Sequence, residues 1–167
     1  MKVLIISDIH GGYDNLKKVI DDNNSFDYLL ILGDIVPSNY ELINLLNSYN
    51  TKIIAVRGNC DNYNIEKLDF SLDNYYVLVP IDNRIFFMTH GHLYDRYSDL
   101  NTKYDVYIQG HTHVPIMNIE NDILYLNPGS ITLPRGGSEK SYILYEDNTF
   151  YLKKVEDNSV IKKITLV

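Results

Sequence analysis

Three runs of consecutive apolar residues stand in the first third of the chain, and each gives way to a polar turn. Lys2 to Ser7 closes on Asp8, Phe26 to Leu32 on Gly33-Asp34, and Thr51 to Val56 on Arg57-Gly58-Asn59. Short runs without polar alternation predict strands buried on both faces. Between them lie two segments with apolar residues at helical spacing. Asp14 to Asp22 carries Leu16, Val19 and Ile20 with Asp14 as the N-cap, and Ser38 to Tyr49 carries Leu42, Ile43, Leu45 and Leu46 with Ser38 as the cap. The β-α-β-α-β alternation predicts a parallel sheet with crossover helices.

The pattern then changes. Tyr75 to Ile81 and Arg84 to Thr89 flank Asp82-Asn83, a hairpin signal. Tyr94 to Lys103 reads as a short helix, and Tyr104 to Gln109 as a strand ending at Gly110-His111. Ile116 to Ile119 and Ile123 to Leu126 flank Glu120-Asn121-Asp122, and Tyr142 to Tyr145 and Thr149 to Val155 flank Glu146-Asp147-Asn148. Val160 to Val167 reads as a last strand. An antiparallel half is thus expected after a parallel one, and two packed sheets with helices outside would bury both. With no linker, repeat or low-complexity segment, residues 1–167 read as a single domain.

Composition narrows the possibilities. Hydrophobic residues make up 45% and charged residues 22%, as in ordinary globular proteins. The single Cys60 excludes an intramolecular disulfide framework and fits a reducing compartment. The apolar run at the N-terminus is too short for a signal peptide, and no stretch approaches the length of a membrane span, so the expected location is cytoplasmic. The net charge of −7 disfavours sequence-independent nucleic-acid binding and leaves small phosphorylated molecules as the expected partners. The 15 tyrosines could support a homodimer or higher homo-oligomer but assign no function.

The chemistry lies in where the polar residues fall. Asp8-Ile9-His10, Gly33-Asp34, Gly58-Asn59, His90 and Gly110-His111-Thr112-His113 each follow an apolar run directly. In open α/β sheets, ligands bind at the carboxyl ends of the strands. Five strand ends therefore deliver Asp8, His10, Asp34, Asn59, His90, His111 and His113 to one rim. Carboxylate, amide and imidazole suit Mn, Fe or Zn better than Ca or Mg, and no thiolate set for structural zinc is present. Seven ligands are too many for one ion, whereas one bridging carboxylate would leave each of two ions about four. Taken singly, each piece has an ordinary explanation: Asp-x-His and Gly-Asp are common turns, Asn59 a turn residue, and a lone His90 a packed core histidine. The conjunction argues otherwise, because all 5 histidines fall in these strand-end segments.

These segments, in this order, resemble the calcineurin-like metallophosphoesterase superfamily, and within it the small bacterial and archaeal phosphodiesterase branch of the YfcE type. The matching stretches are Ser7-Asp8-Ile9-His10-Gly11, Leu32-Gly33-Asp34, Val56-Arg57-Gly58-Asn59-Cys60-Asp61, Thr89-His90-Gly91-His92, Gln109-Gly110-His111-Thr112-His113 and Asn127-Pro128-Gly129-Ser130, continued by Leu133-Pro134-Arg135. The resemblance implies an α/β/β/α four-layer sandwich of two mixed sheets flanked by helices. It implies one ion on Asp8, His10, Asp34 and His113, and a second on Asp34, Asn59, His90 and His111, with Asp34 bridging. A hydroxide between the ions would attack phosphorus in line.

The resemblance also carries a departure. Where many superfamily members have a histidine that donates a proton, this chain has Cys60, and Ile35-Val36-Pro37-Ser38 supplies no aspartate to orient one. Monoesters, with poor alkoxide leaving groups, need that proton most, so the expected activity is that of a phosphodiesterase. The expected cofactors are two divalent transition-metal ions, manganese first, with nickel, zinc or iron as alternatives. His10 and Asn59 are read as catalytic as well as ligating. Cys60 and His92 are further catalytic candidates, although a cysteine beside a turn is more often a packing residue and His92 could equally be structural. Asn127, Gly129 and Ser130 are read as shaping the rim, and Arg135 as a candidate substrate contact. The competing reading is a catalytically weak or inactive scaffold module on the same fold. A nuclease is disfavoured by the charge and the absence of a basic stripe.

Overall fold

The computed structural model describes residues 1–98 and 101–167. The first apolar run forms β1 (Lys2–Ile6), followed by α1 (Tyr13–Asp21), β2 (Tyr28–Ile31), α2 (Tyr40–Asn47) and β3 (Lys52–Ala55). β1 pairs parallel with β2, and β2 with β3. These strands lack polar alternation because both their faces are covered. Leu4, Ile6, Leu29 and Ile31 pack outward against Leu16, Val19 and Ile20 of α1 and Leu42, Ile43 and Leu46 of α2. Val3, Ile5, Leu30 and Leu32 point the other way, into the space between two sheets. Fully burying one such side chain stabilises by about 1.5–3 kcal/mol, so the two-sided burial of β1 and β2 anchors the fold.

The second sheet comprises β4 (Tyr76–Ile81), β5 (Arg84–Thr89), β6 (Val106–Ile108), β7 (Ile116–Glu120) and β8 (Ile123–Asn127), in the order β4-β5-β6-β8-β7. Val79, Ile81, Phe86, Met88, Val106, Ile108, Leu124 and Leu126 face the first sheet across the shared core. On its outer side Phe87 stacks on Tyr76 and Tyr107, and Tyr107 leans on Tyr125. Among the described residues this aromatic row, rather than an α-helix, covers that face. The chain then returns to the first sheet as β9 (Ser141–Glu146), β10 (Thr149–Lys154) and β11 (Val160–Thr165), giving the order β11-β10-β9-β1-β2-β3. Two mixed sheets, one with α1 and α2 outside it, make an α/β fold of the expected class.

Several local expectations change. The second half is not simply antiparallel: β5 pairs parallel with β6, and β6 with β8. That parallel centre points three further carboxyl ends to the rim already served by β1, β2 and β3. Asp14 lies inside the first turn of α1, where its charge suits the helix N-terminus; Gly12 takes the cap position without a side-chain hydrogen bond. Ser38 does not cap α2. Asn39 does, with extended backbone and its Oδ1 accepting the Leu42 N–H at 2.8 Å, a contact worth about 1 kcal/mol. The helix expected over Tyr94 to Lys103 is not formed: residues 94–98 and 101–103 are turn or irregular, and the part on residues 99–100 lies outside the described residues. The three expected hairpins form, turning at Asp82-Asn83, Asn121-Asp122 and Asp147-Asn148, all with positive φ as paired left-handed turns require. No helix among the described residues is long and apolar enough to cross a membrane.

Candidate metal centre

The loops after β1, β2, β3, β5, β6 and β8 meet on one rim. Asp8, His10, Asp34 and His113 each place one donor atom there, all within 4.8 Å of one another. His113 Nε2 lies 3.0 Å from Asp8 Oδ1, and His10 Nε2 lies 3.3 Å from His113 Nε2 and 3.6 Å from Asp34 Oδ2. A second group adjoins the first through Asp34. His90 Nε2 lies 3.5 Å from Asp34 Oδ2, 3.1 Å from Asn59 Oδ1 and 3.3 Å from His111 Nδ1. All seven residues singled out in the sequence therefore converge, and Asp34 stands between the two groups.

The orientation of the imidazoles says what the convergence is for. His90 Nδ1–H donates to the Leu32 carbonyl at 2.6 Å, and His113 Nδ1–H donates to the Leu133 carbonyl at 2.6 Å. A carbonyl can only accept, so Nδ1 carries the proton and the Nε2 lone pairs of both rings face the carboxylates. Asp8 Oδ1 is buried and has no hydrogen-bond partner. Lone pairs aimed at carboxylate oxygens in a buried place repel one another unless a cation stands between them. The donor set fits divalent ions of the imidazole- and carboxylate-binding kind.

The surrounding structure holds this arrangement from below. Ser7 Oγ–H donates to Asp8 Oδ2 at 2.6 Å, and the His111 N–H donates to the same oxygen at 3.0 Å. Ser130 Oγ–H donates to the Asp8 carbonyl, and Asn127 Nδ2–H bridges to Gly110 O and Thr112 Oγ1, tying the His111–His113 loop to the end of β8. Gly33, at φ 90°, sits where the loops are closest: a Cβ there would lie 2.7–2.8 Å from Gly58 and from His90 Nδ1. A Cβ on Gly58 would overlap the Asp34 carboxylate and amide. These two glycines let the second and third loops touch.

The electrostatics follow from the packing. Burial pushes the Asp34 carboxyl up, but the adjacent His90 ring and the Cys60 N–H, which donates to Oδ1, outweigh it and hold its pKa below the ordinary carboxylate value. Burial likewise disfavours charge on His90, yet the adjacent Asp34 carboxylate raises its pKa above the usual imidazole value. His92 and His111 are lowered, first by burial and then by the neighbouring histidines. Burial, followed by the Asp34 carboxylate, pushes the Cys60 thiol up to about 11.

The weaker candidates separate. Cys60 is exposed at the rim, its backbone N–H donating to Asp34 Oδ1 at 2.8 Å and its sulfur 3.4 Å from Asn59 Nδ2. Its thiol stays protonated near neutral pH, which speaks against a nucleophile. The His92 ring lies 5.3 Å from that of His90 and 6.2 Å from that of His111, with its buried Nδ1 unpartnered. Arg135 is brought beside the cluster only by its backbone, whose N–H donates to the His113 carbonyl; its side chain is exposed. Sequence reasoning gave no role to Ser7 or Asp61, both fully buried here. Asp61 accepts three backbone N–H bonds from the loops around Asp34 and Gly58. Nothing in the local pattern marks it, since an Asp after Asn-Cys reads as ordinary turn chemistry.

Comparison with known proteins gives the same picture. The profile of the calcineurin-like phosphoesterase superfamily domain matches residues 1–149. The chain is 31% identical to the phosphodiesterase YfcE of Escherichia coli K12, covering 99% of this chain and 98% of the relative. Its structure superposes on that of YfcE, described as a phosphoesterase, with a TM-score of 0.87 over the whole of both chains. The phosphodiesterase MJ0936 of Methanocaldococcus jannaschii is 31% identical, covering 77% of this chain and 83% of the relative. Zinc-bound Vps29 of Entamoeba histolytica shares the fold, with a TM-score of 0.72 at 22% identity over 98% of each chain. The chain belongs to the calcineurin-like phosphoesterase superfamily.

Proposed function

We propose that this protein is a metal-dependent phosphodiesterase acting on small phosphodiesters through two divalent transition-metal ions, manganese first. Asp8, His10, Asp34 and His113 would hold one ion, and Asp34, Asn59, His90 and His111 the other. The observation that carries this reading is the aim of the Nε2 lone pairs of His90 and His113 at Asp34 and Asp8, with Asp8 Oδ1 buried and unpartnered. When bound, ions in such a site supply an activated water and neutralise charge developing on the phosphoryl group. The chain's own part is to fix the ligands: the Leu32 and Leu133 carbonyls set the imidazole tautomers, and Ser7 and His111 N–H hold the Asp8 carboxylate.

The choice of diester over monoester rests on Cys60. A thiol is a poorer proton donor to an alkoxide leaving group than the histidine that many members of the superfamily hold at this position. His92, on the His90–His111 side of the cluster, is the candidate contact to the scissile group. Relatives across 99% and 77% of the chain carry the name phosphodiesterase, which supports the same choice. The test is hydrolysis of bis(p-nitrophenyl) phosphate against p-nitrophenyl phosphate with Mn, Ni, Zn and Mg. Diester turnover should exceed monoester turnover and depend on the transition metal. Faster monoester turnover would sink the reading.

A further inference from the structure

The two loops that carry Asp34 and Asn59 are joined by one buried carboxylate that lies outside the proposed ligand set. Asp61 is fully buried. Its Oδ2 accepts the backbone N–H of Asp34 at 2.8 Å and of Gly58 at 2.9 Å, and its Oδ1 accepts the N–H of Val36 at 3.0 Å. The segment it grips is also unusual: Asp34 has φ 51° and Val36 φ 48°. A β-branched residue in the left-handed region is a genuine outlier and persists only when its surroundings over-determine it. Asn64 adds a second tie, its Nδ2–H donating to the Pro37 carbonyl at 3.1 Å.

We propose that Asp61 is the positioning residue that sets the Asp34 loop against the Asn59 loop and thereby assembles the second ion's ligand set. The proposal rests on the two-ion reading above. Its content is an asymmetry. Asp61 touches the backbone of Asp34, shared by both sets, and of Gly58, which leads only to Asn59. The ion on Asp34, Asn59, His90 and His111 therefore depends on the clip through two ligands. The ion on Asp8, His10, Asp34 and His113 depends on it through one. In Asp61→Asn a single side-chain oxygen can still serve Asp34 and Gly58, but an amide N–H then opposes the Val36 N–H.

The test is titration of the metal-free full-length chain with Mn²⁺, read by calorimetry, for the wild type, Asp61→Asn and Asn64→Ala. Wild type should bind in two steps. Asp61→Asn should weaken one step by roughly 10–100-fold, the usual effect of losing a partner that orients a ligand, and the other by no more than about threefold. Asn64→Ala, from a partly exposed side chain, should weaken the same step by a smaller factor without loss of folding. In Asn59→Ala, where the second set is already incomplete, Asp61→Asn should change the remaining affinity little. A readout free of metal accompanies these: amide exchange at Asp34, Val36 and Gly58 should quicken in Asp61→Asn while the strands keep their protection. Unchanged affinities and exchange in the variants, or equal weakening of both steps together with a general fall in Tm, would overturn the clip. A wild-type chain that takes up no Mn²⁺ would overturn the two-ion reading, and with it the asymmetry, whereas quickened exchange at those three amides in Asp61→Asn would still show the clip itself.

Discussion

The metal rim and the hairpin turns use the same backbone conformation for opposite ends. At the hairpins, Asp82-Asn83, Asn121-Asp122 and Asp147-Asn148 take positive φ in adjacent pairs, the twist a tight antiparallel turn requires. Asn and Asp tolerate this conformation, and the turns are mostly exposed, with Tyr145 Oη–H donating to Asp82 and Arg84 to Asn148 as added ties. At the rim, Asp8, His10, Asp34, His111 and His113 take positive φ and all five are at least partly buried; Asp8 and His10, and likewise His111 and His113, are separated by one residue of ordinary backbone. Each costs on the order of 1–2 kcal/mol. There the conformation re-aims a side chain, turning it back over the strand end, and the fold supplies the compensation: Asp61, Asn127 and Ser130 are all buried and all bonded to the backbone of these loops. The difference teaches that left-handed Asp and His residues identify a functional rim only when burial and long-range hydrogen bonds hold them there.

Substitutions can break that contrast. The largest effect is expected in Asp8→Asn. The new amide could donate to His113 Nε2, 3.0 Å from the present Oδ1, and relieve the unpartnered buried oxygen. Metal-dependent diester turnover should fall by roughly 10³-fold or more, since an ion contributes several kcal/mol to the transition state. The metal-free protein should meanwhile melt about 2–4 °C higher for ~1 kcal/mol gained. Calorimetry in chelator checks the second half; a lower Tm would show that the rim is not strained by its own charges.

Gly33→Ala comes next. The added Cβ meets Gly58 and the His90 ring at 2.7–2.8 Å and must adopt φ 90°. Overpacking and strain together should cost about 2–4 kcal/mol in urea denaturation, with turnover lost as Asp34 shifts. At the hairpins the equivalent change should matter little: Asn121→Gly should move stability by less than about 0.5 kcal/mol and leave turnover unchanged. A large effect there would mean that hairpin turns too are held by tertiary structure.

The smallest effect near neutral pH belongs to the core. Burial pushes Tyr142 and Tyr145 up to about 12, the latter also through Asp82. The folded state therefore keeps these phenol protons where the unfolded chain, with pKa near 10, has lost them. Their contribution is full below about pH 10 and is lost as pH rises toward 12. Ultraviolet titration should show tyrosines that ionise only as the protein unfolds in that window.

How much of this was legible in the sequence follows from the range of the forces involved. β1, β2 and β3 were readable because two-sided burial removes polar alternation, and the hairpins because Asn-Asp pairs announce them locally. The seven candidate ligands were readable because each follows such a run. The parallel centre of the second sheet was not, since β6 and β8 find their partners across a long excursion that leaves no periodic trace. Nor were the caps: Asn39 rather than Ser38 caps α2 because Ser38 is drawn into a turn with Val36, its N–H on the Val36 carbonyl at 2.6 Å. Asp61 was invisible in role because two of its three partners are backbone N–H groups of a loop 25 to 27 residues away.

If one carboxylate joins two ion sites at the rim, removing its charge must be felt by both, and the metal content of Asp34→Asn beside wild type, measured by elemental analysis after equilibration with Mn²⁺, decides it. Wild type should hold two ions per chain and Asp34→Asn should lose both together. Loss of a single ion, or retention of both, would contradict the shared role of Asp34.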